Sequence, residues 1–445
     1  SLFDRYVLNV SFRTDGSNNF GSDEQFNPTW SAGAVWHVSE ETFMEVVRPV
    51  LSRLSLRVAT GYTGNINKTV KPNLMMKYYK NFRISDDENY RMGYINNAPN
   101  PKLRWEKTRD VKVALDFGLW KDRINGIVEA YWRKSKDCVT SEYVPVTTGF
   151  FNQSYNTSVL QNNGVEFSLS VAVLKSKDYN LSVSANVAWN QNKLKKYNSP
   201  NTSLALDKYV GYPMGAVFSG KYEGIDPETG MYKFKLRPDA VTNKDGYLRE
   251  PNNYYYYLGT SVAPFTGGFN LNFSYKNIGL SVGGSYSVKA KMVDNIESPA
   301  GYELLSGSKL ESIPTPHNDL YRNHLNVKRE VRNRWTPENR TGVKYPRLID
   351  AYGKKLGLDL TNPTLTTITR GALLEDISYL RINTIALSYS LPQRVLERIN
   401  FSSAALNLTL NNFFTITKYS GIDPEVPGAT YPVSRSVTIG LNVGF

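Results

Sequence analysis

The sequence predicts an all-β fold, a transmembrane antiparallel β-barrel, on three observations. Apolar residues recur at every second position in about a dozen segments, and the connections between those segments alternate between very short and very long. No stretch approaches the roughly 18 unbroken apolar residues that a membrane helix needs. A barrel hides its hydrophobicity at alternate positions, where window averages do not register it. The chain accordingly has 445 residues, 40% of them apolar, and a mean hydropathy of −0.42.

The alternation is cleanest at the C-terminus, where Val437, Ile439, Leu441, Val443 and Phe445 alternate with Ser436, Thr438, Gly440, Asn442 and Gly444. The same template selects Leu406–Leu408–Leu410, the odd positions of Leu181 to Trp189 and of Val165 to Val173, and Val111–Val113–Leu115–Phe117. Further copies lie at Tyr6 to Phe12, Thr29 to Val38, Leu54 to Val58, Gly126 to Trp132, Phe269 to Tyr275, Leu280 to Val288 and Leu380 to Tyr389. The Leu380 segment changes parity between Ile382 and Ile385, which predicts a β-bulge.

Between these strands the brief links are Trp120 to Asp122, Lys175 to Asp178 and Lys276-Asn277. The long ones span about 63–108, 135–162, 191–264, 290–374 and 414–433, far above the usual connection of about 4 to 6 residues. A soluble sandwich has no reason to place every long loop at one end, whereas outer-membrane barrels have tight periplasmic turns and extended outer loops. Residues 1–445 therefore read as one barrel segment with long extracellular loops. Ser39 to Ser55 is a longer periplasmic link, in which Phe43, Val46, Val47 and Val50 predict a short amphipathic helix limited by Pro49.

Composition narrows the function classes. The 30 Tyr, 19 Phe and 7 Trp suit the aromatic girdles at membrane interfaces, and would equally suit a sugar-binding protein. Cys138 is the only cysteine, which excludes an intrachain disulfide and reads as an inert thiol. The net charge of +13 raises the question of nucleic acid, but the basic residues are spread and form no helical stripe or binding fingerprint, so no nucleic acid is expected. Anionic lipopolysaccharide or acidic solutes are a more natural match. No signal peptide opens the sequence, which reads as a fragment with any targeting segment upstream.

Candidate chemistry is sparse. His37, His317 and His324 are far apart or share a loop without a ligand-spaced partner set, so no metal or cofactor is expected. Asp226 to Gly230 and Asn243 to Gly246 read as turns before calcium loops, and Asp423-Pro424-Glu425 as a loop turn. No converging nucleophile, phosphate loop or paired carboxylates mark an enzyme. The better candidates are loop aromatics that can stack on sugars or peptide side chains: Tyr254, Tyr255, Tyr256, Tyr257, Trp335, Phe150, Phe151 and Tyr155. Packing of these rings against other loops or a partner lid is the competing reading. Phe445, an aromatic closing the last amphipathic strand, is a candidate barrel-insertion signal.

Several segments in order resemble the SusC-like (SusC/RagA-type) TonB-dependent transporters of the Bacteroidetes. They are Arg5 to Gly21, Arg57 to Asn65, Asn100 to Thr108, Gly211 to Thr229, Arg334 to Asn339, Glu375 to Asn383 with Leu387 to Pro392, and Asn412 to Glu425. The resemblance covers essentially the whole chain. It implies about twelve C-terminal strands of a barrel of about 22 strands, with the plug, the TonB box and the earlier strands outside this chain. It further implies energised import of a glycan oligosaccharide or an oligopeptide, with a SusD-like surface lipoprotein as lid and the TonB complex as the energy source. A passive or adhesive barrel and a secreted carbohydrate-binding β-protein are the rival readings.

Overall fold

The computed structural model describes residues 2–68, 70–85, 88–150, 152–197, 209–228, 230, 232–235, 237–239, 255–293, 332–343, 370–427 and 431–445. In chain order the strands are β1 (Tyr6–Gly16), β2 (Phe26–His37), β3 (Leu51–Asn65), β4 (Met75–Ser85), β5 (Glu88–Asn97), β6 (Glu106–Leu119), β7 (Ile124–Tyr143), β8 (Asn152–Lys175) and β9 (Tyr179–Lys196). They continue with β10 (Ala216–Ile225), β11 (Tyr232–Lys235), β12 (Tyr255–Thr260), β13 (Phe265–Tyr275), β14 (Ile278–Val288), β15 (Lys291–Val293), β16 (Leu374–Asp376), β17 (Tyr379–Ser390), β18 (Ser403–Thr417) and β19 (Ser436–Gly444).

Twelve of them form one antiparallel sheet in the order β1-β2-β3-β6-β7-β8-β9-β13-β14-β17-β18-β19. These are the twelve segments that period-two alternation selects. The chain divides into two compact units, one of residues 1–214 with 267–281 and one of residues 215–266 with 282–445. No described helix is long and apolar enough to cross a membrane.

In the first unit the register sorts side chains into two faces. Leu8 faces Ala34, Val10 faces Ala32 and Phe12 faces Trp30; Ala34 then faces Val58 and Trp30 faces Tyr62. Val58 faces Val113, Val113 faces Ala130, Ala130 faces Val165 and Val165 faces Trp189. This apolar face is left exposed, with Leu8, Val10 and Phe12 each largely uncovered. Water would penalise such a surface, and hydrocarbon is the solvent that favours it. Trp30 and Tyr62 stand 5.7 Å apart toward one end. Tyr179 and Tyr275 stack at 5.4 Å beside the short turns at the other, as interfacial girdles require.

Two elements depart from the sequence reading. Residues 38–50 form two single-turn 3-10 segments, Val38–Glu40 and Thr42–Met44, and turns instead of an amphipathic α-helix. The spacing of Phe43, Val46, Val47 and Val50 imitates a helical face, but Pro49 and the need to return directly into β3 leave no room for helical turns. The bulge lies where it is expected, between Ile382 and Thr384, but its extra residue is on the partner strand. There Asn412 takes a left-handed conformation with φ 59°, which asparagine tolerates better than most residues.

The long connections carry their own structure. The strands flanking 135–162 remain paired out to Tyr143 and Asn152, β4 and β5 form a hairpin within 63–108, and β10 pairs with both β11 and β12. A seven-residue helix, Gln393–Ile399, follows Pro392 and ends on Asn400 in a left-handed C-cap.

Ile439 is 72% exposed on the apolar face and Thr438 alternates with it. Ile439→Arg is expected to destabilise the protein by about 2–4 kcal/mol in lipid vesicles, and Thr438→Arg by far less, as read by urea titration. Equal effects would mean that the two faces do not see different solvents.

Candidate functional site

The face opposite the apolar one is polar and charged, and this wall is the first candidate site. In the first unit it carries Asn9, Ser11, Ser31, Gly33, Arg57, Asp110, Lys112, Asp116, Glu129 and Arg133, with an open recess of about 620 Å³ bordered by several of them. Arg57 reaches diagonally to Asp116 with Nε 2.6 Å and a terminal nitrogen 3.1 Å from the carboxylate. Arg133 meets Asp110 at 2.9 Å and Lys112 meets Glu129 at 3.3 Å. Diagonal neighbours on one face of a sheet are within reach of long side chains. All six groups are partly open to solvent, so each pair contributes at most about 1 kcal/mol; their effect is to order the wall. Glu129 faces Glu166 across β7 and β8, so the wall holds two opposed carboxylates, one of them paired with Lys112.

Further along the same face amides replace charges. Asn192 donates to Asn162 at 2.7 Å, Tyr131 donates its hydroxyl proton to Asn190 at 3.2 Å, and the Met214 N–H donates to Asn192 at 2.8 Å. Gly164 sits between them because a Cβ there would lie 2.4 Å from the Tyr131 hydroxyl and 2.5 Å from the Trp189 carbonyl oxygen. Amides and hydroxyls both donate and accept, which suits neutral, hydrogen-bonding solutes. Sequence reasoning concentrated on the apolar half of the alternation and missed these residues. The signal was present as opposite charges and amides at intervening positions of successive strands.

Beyond the wall, buried polar knots fix the long connections. In the first unit Leu103 and Trp105 are buried, Trp105 stacks on Phe20 at 4.6 Å and its indole N–H donates to the Gln25 carbonyl at 3.1 Å. Arg104 pairs with Asp137 at 2.6 Å, and Asn156 donates to the carbonyls of both Arg104 and Asp137 at 2.7 Å.

In the second unit Arg381 on β17 is the centre. Its side chain is 3% exposed and that of its partner Asp423 is 7%, with 2.5 Å between them. Glu425 lies 2.8 Å from the other terminal nitrogen, and Nε donates to Thr415 at 3.1 Å. The Asp423 carboxylate also accepts the N–H groups of Glu425 at 2.9 Å and Val433 at 3.1 Å. Burial alone raises a carboxyl pKa. Here those two N–H groups and the Arg381 guanidinium outweigh it and hold Asp423 below its ordinary value. Ala290, Ile377 and Tyr419 form an apolar core in the same unit.

The described aromatic candidates are divided between the two units. Phe150 and Tyr155 belong to the first unit, Phe150 half-buried after a 3-10 turn and Tyr155 on β8 donating its hydroxyl proton to Gln153. Tyr255, Tyr256 and Tyr257 lie on β12 opposite Gly220, Ser219 and Phe218 of β10, with Tyr257 and Phe218 rings 5.7 Å apart. Trp335 is buried and donates to the Pro227 carbonyl at 2.9 Å. Tyr254, Phe151, His317, His324 and Asn243 to Gly246 lie outside the described residues. His37 approaches Ser55 at 3.0 Å, and Phe445 meets Phe401 edge-on at 5.1 Å. In the 226–230 turn, the N–H of Glu228 donates to the Asp226 side chain at 2.9 Å, a turn-forming bond. Among the described residues no group of three His, Cys, Asp or Glu side chains is placed to hold a metal ion.

A family model described as TonB dependent receptor-like, beta-barrel, matches residues 1–412. The chain is 26% identical to "TonB-dependent receptor P26" of Formosa agariphila, over 99% of this chain and 45% of that protein. It is also 26% identical to "TonB-dependent receptor SusC" of Bacteroides thetaiotaomicron, over 100% of this chain and 43% of that protein. Among solved structures it superposes on the RagAB peptide transporter with a TM-score of 0.76 and 26% identity, over 99% of this chain and 46% of that one. The RagAB peptide importer in its closed-closed state gives 0.78 and 25%, with the same coverage. The chain thus spans a little under half the length of these relatives.

Replacing Arg381 with Met leaves Asp423 buried without its countercharge, a loss of about 3–5 kcal/mol. Amide exchange at Val433 and Glu425 is expected to accelerate by at least about 100-fold. Because the folded pKa of Asp423 is depressed, its contribution is complete above the ordinary value of 3.8 and is lost only as pH falls through the folded value. Exchange protection of this loop is therefore expected to be flat from pH 8 to 5, after correction for intrinsic rates, and to fail in stronger acid.

Proposed function

The chain belongs to the TonB-dependent receptor-like β-barrel family of the bacterial outer membrane, and from that membership we propose that it forms the C-terminal part of an energised nutrient importer. The observation that supports this reading best is the polar wall. An importer needs an inner wall past which a hydrogen-bonding cargo can move, and ordered ion pairs and amides supply one.

In this proposal an N-terminal segment of the same protein supplies the plug, the TonB box and the remaining strands. The TonB complex delivers energy through that plug, and a SusD-like lipoprotein covers the extracellular side. The cargo is an oligopeptide or an oligosaccharide. Both present many neutral donors and acceptors to amides such as Asn162, Asn190 and Asn192, and both offer faces to stack on tyrosine. The peptide cargo named for the RagAB relative supports the first member of that pair. The loop aromatics Tyr255, Tyr256, Tyr257, Phe150 and Tyr155 are proposed as capture residues, and the buried Trp335 as the anchor of its own loop through the Pro227 carbonyl. The proposed role is transport and not catalysis.

The test is uptake by cells carrying the full-length protein, with retained ligand identified by mass spectrometry after purification from outer membranes. Uptake is expected to vanish when TonB is deleted and a surface lipoprotein is expected to co-purify. Uptake independent of TonB would replace the proposal with a passive barrel. Tyr257→Ala is expected to weaken ligand binding by roughly 3- to 10-fold, as read by calorimetry on the purified complex.

A further inference from the structure

Residues 38–50, which join β2 to β3 on the short-turn side, leave a group of apolar side chains uncovered. Val46 is 88% and Phe43 65% exposed, with Val47 and Val50 also exposed. The segment is nevertheless held in place. Val38, Ser39 and Met44 are buried, Arg48 donates twice to the Ser39 carbonyl at 3.0 and 2.8 Å and pairs with Glu40 at 3.0 Å. The N–H of Trp120, on the neighbouring turn, donates to the Val50 carbonyl at 2.7 Å.

One residue decides which face this segment occupies. Glu41 accepts the Tyr6 hydroxyl at 2.6 Å and the Trp36 indole N–H at 3.0 Å, and pairs with Arg5 at 3.2 Å. Tyr6 and Trp36 face each other in register, on the same apolar face as Leu8 and Ala34. The segment is thus tied to the edge of the hydrocarbon-facing surface. Exposed Trp120 lies next to it in the chain of contacts, and Lys121 and Arg123 on that turn are exposed cations. Apolar side chains flanked by an interfacial tryptophan and by Lys and Arg match the boundary between acyl chains and phosphate headgroups.

We propose that residues 42–50 form an apolar foot that enters the periplasmic phospholipid leaflet, with Phe43, Val46, Val47 and Val50 among the acyl chains and Arg48, Lys121 and Arg123 at the phosphates. Continuity with the lipid face identifies the occupant as phospholipid. The foot sets the depth at which this side of the barrel sits, and it rests on the barrel reading given above.

The test places a nitroxide label on the full-length protein at Val46→Cys in a Cys138→Ser background, in bilayers of phosphatidylethanolamine and phosphatidylglycerol. Labels at Leu8→Cys on the apolar face and Lys177→Cys on another short turn serve as references. Collision with dissolved oxygen and with a water-soluble nickel chelate gives a depth parameter for each. The Val46 label is expected to match Leu8 and to be opposite in sign to Lys177. Nickel access at Val46 would overturn the foot, and so would shielding from both reagents, which would mean that protein covers the segment. A Leu8 label that meets nickel instead of oxygen would overturn the barrel reading itself, and the two failures are distinguishable.

Discussion

Hydrocarbon offers no hydrogen bonds, so a chain crossing it must satisfy every backbone N–H and C=O within its own sheet. That constraint sets most of what the structure contains. It demands long strands paired in unbroken register, as in the run from Ile124 opposite Val171 to Ser135 opposite Leu160. Because side chains alternate, the same register dictates two faces with different solvents. Val113, Ala130, Val165 and Trp189 follow one another across four strands on one face, while Lys112, Glu129 and Glu166 belong to the other.

Polar chemistry is thereby confined to the inner wall and to the connections at its ends, and the two regions use it differently. On the wall, partly solvated pairs such as Arg57 with Asp116 are individually weak but many, and they leave the surface hydrophilic and ordered. In the connections a few groups are fully enclosed. Arg381 with Asp423, and the indole of Trp105 on the Gln25 carbonyl, trade desolvation for a single defined loop geometry. Anchoring of this kind would lower the conformational freedom lost if the long loops meet the proposed cargo or lid.

The twelve sheet strands were legible because each repeats one simple pattern over many residues. The parity change near Ile382 was legible too, but not that β18 carries the extra residue, because alternation in one strand says nothing about its partner. The charged wall was written in the sequence at Asp110, Lys112, Asp116, Glu129 and Arg133. Reading it requires the pairing of β3, β6 and β7, which a single segment does not reveal. Short elements such as β11, β12 and the helix Gln393–Ile399 are too brief for periodicity to separate them from loop. The 3.6-like spacing of Phe43, Val46, Val47 and Val50 pointed to a helix because helical burial and contact with an apolar exterior select the same residues. The aromatic run at Tyr254 to Tyr257 was visible as composition, but only pairing with β10 assigns its described members to a strand.

The left-handed Asn412 has a consequence for how the chain can change length. Counting on from Thr384 opposite Asn411, an uninterrupted ladder would set Phe414 opposite Arg381; the extra residue moves the count by one and sets Thr415 there instead. A hydroxyl oxygen that accepts from the guanidinium thus stands where a phenyl ring, with no lone pair to offer, would otherwise lie. Asn412 acts as a phase marker between two reading frames, one kept by the membrane and the other by the buried arginine. Insertions beyond the last pair of the ladder, Tyr379 opposite Thr417, leave both frames intact, whereas a single residue gained or lost between Asn411 and Thr415 brings the two frames into conflict.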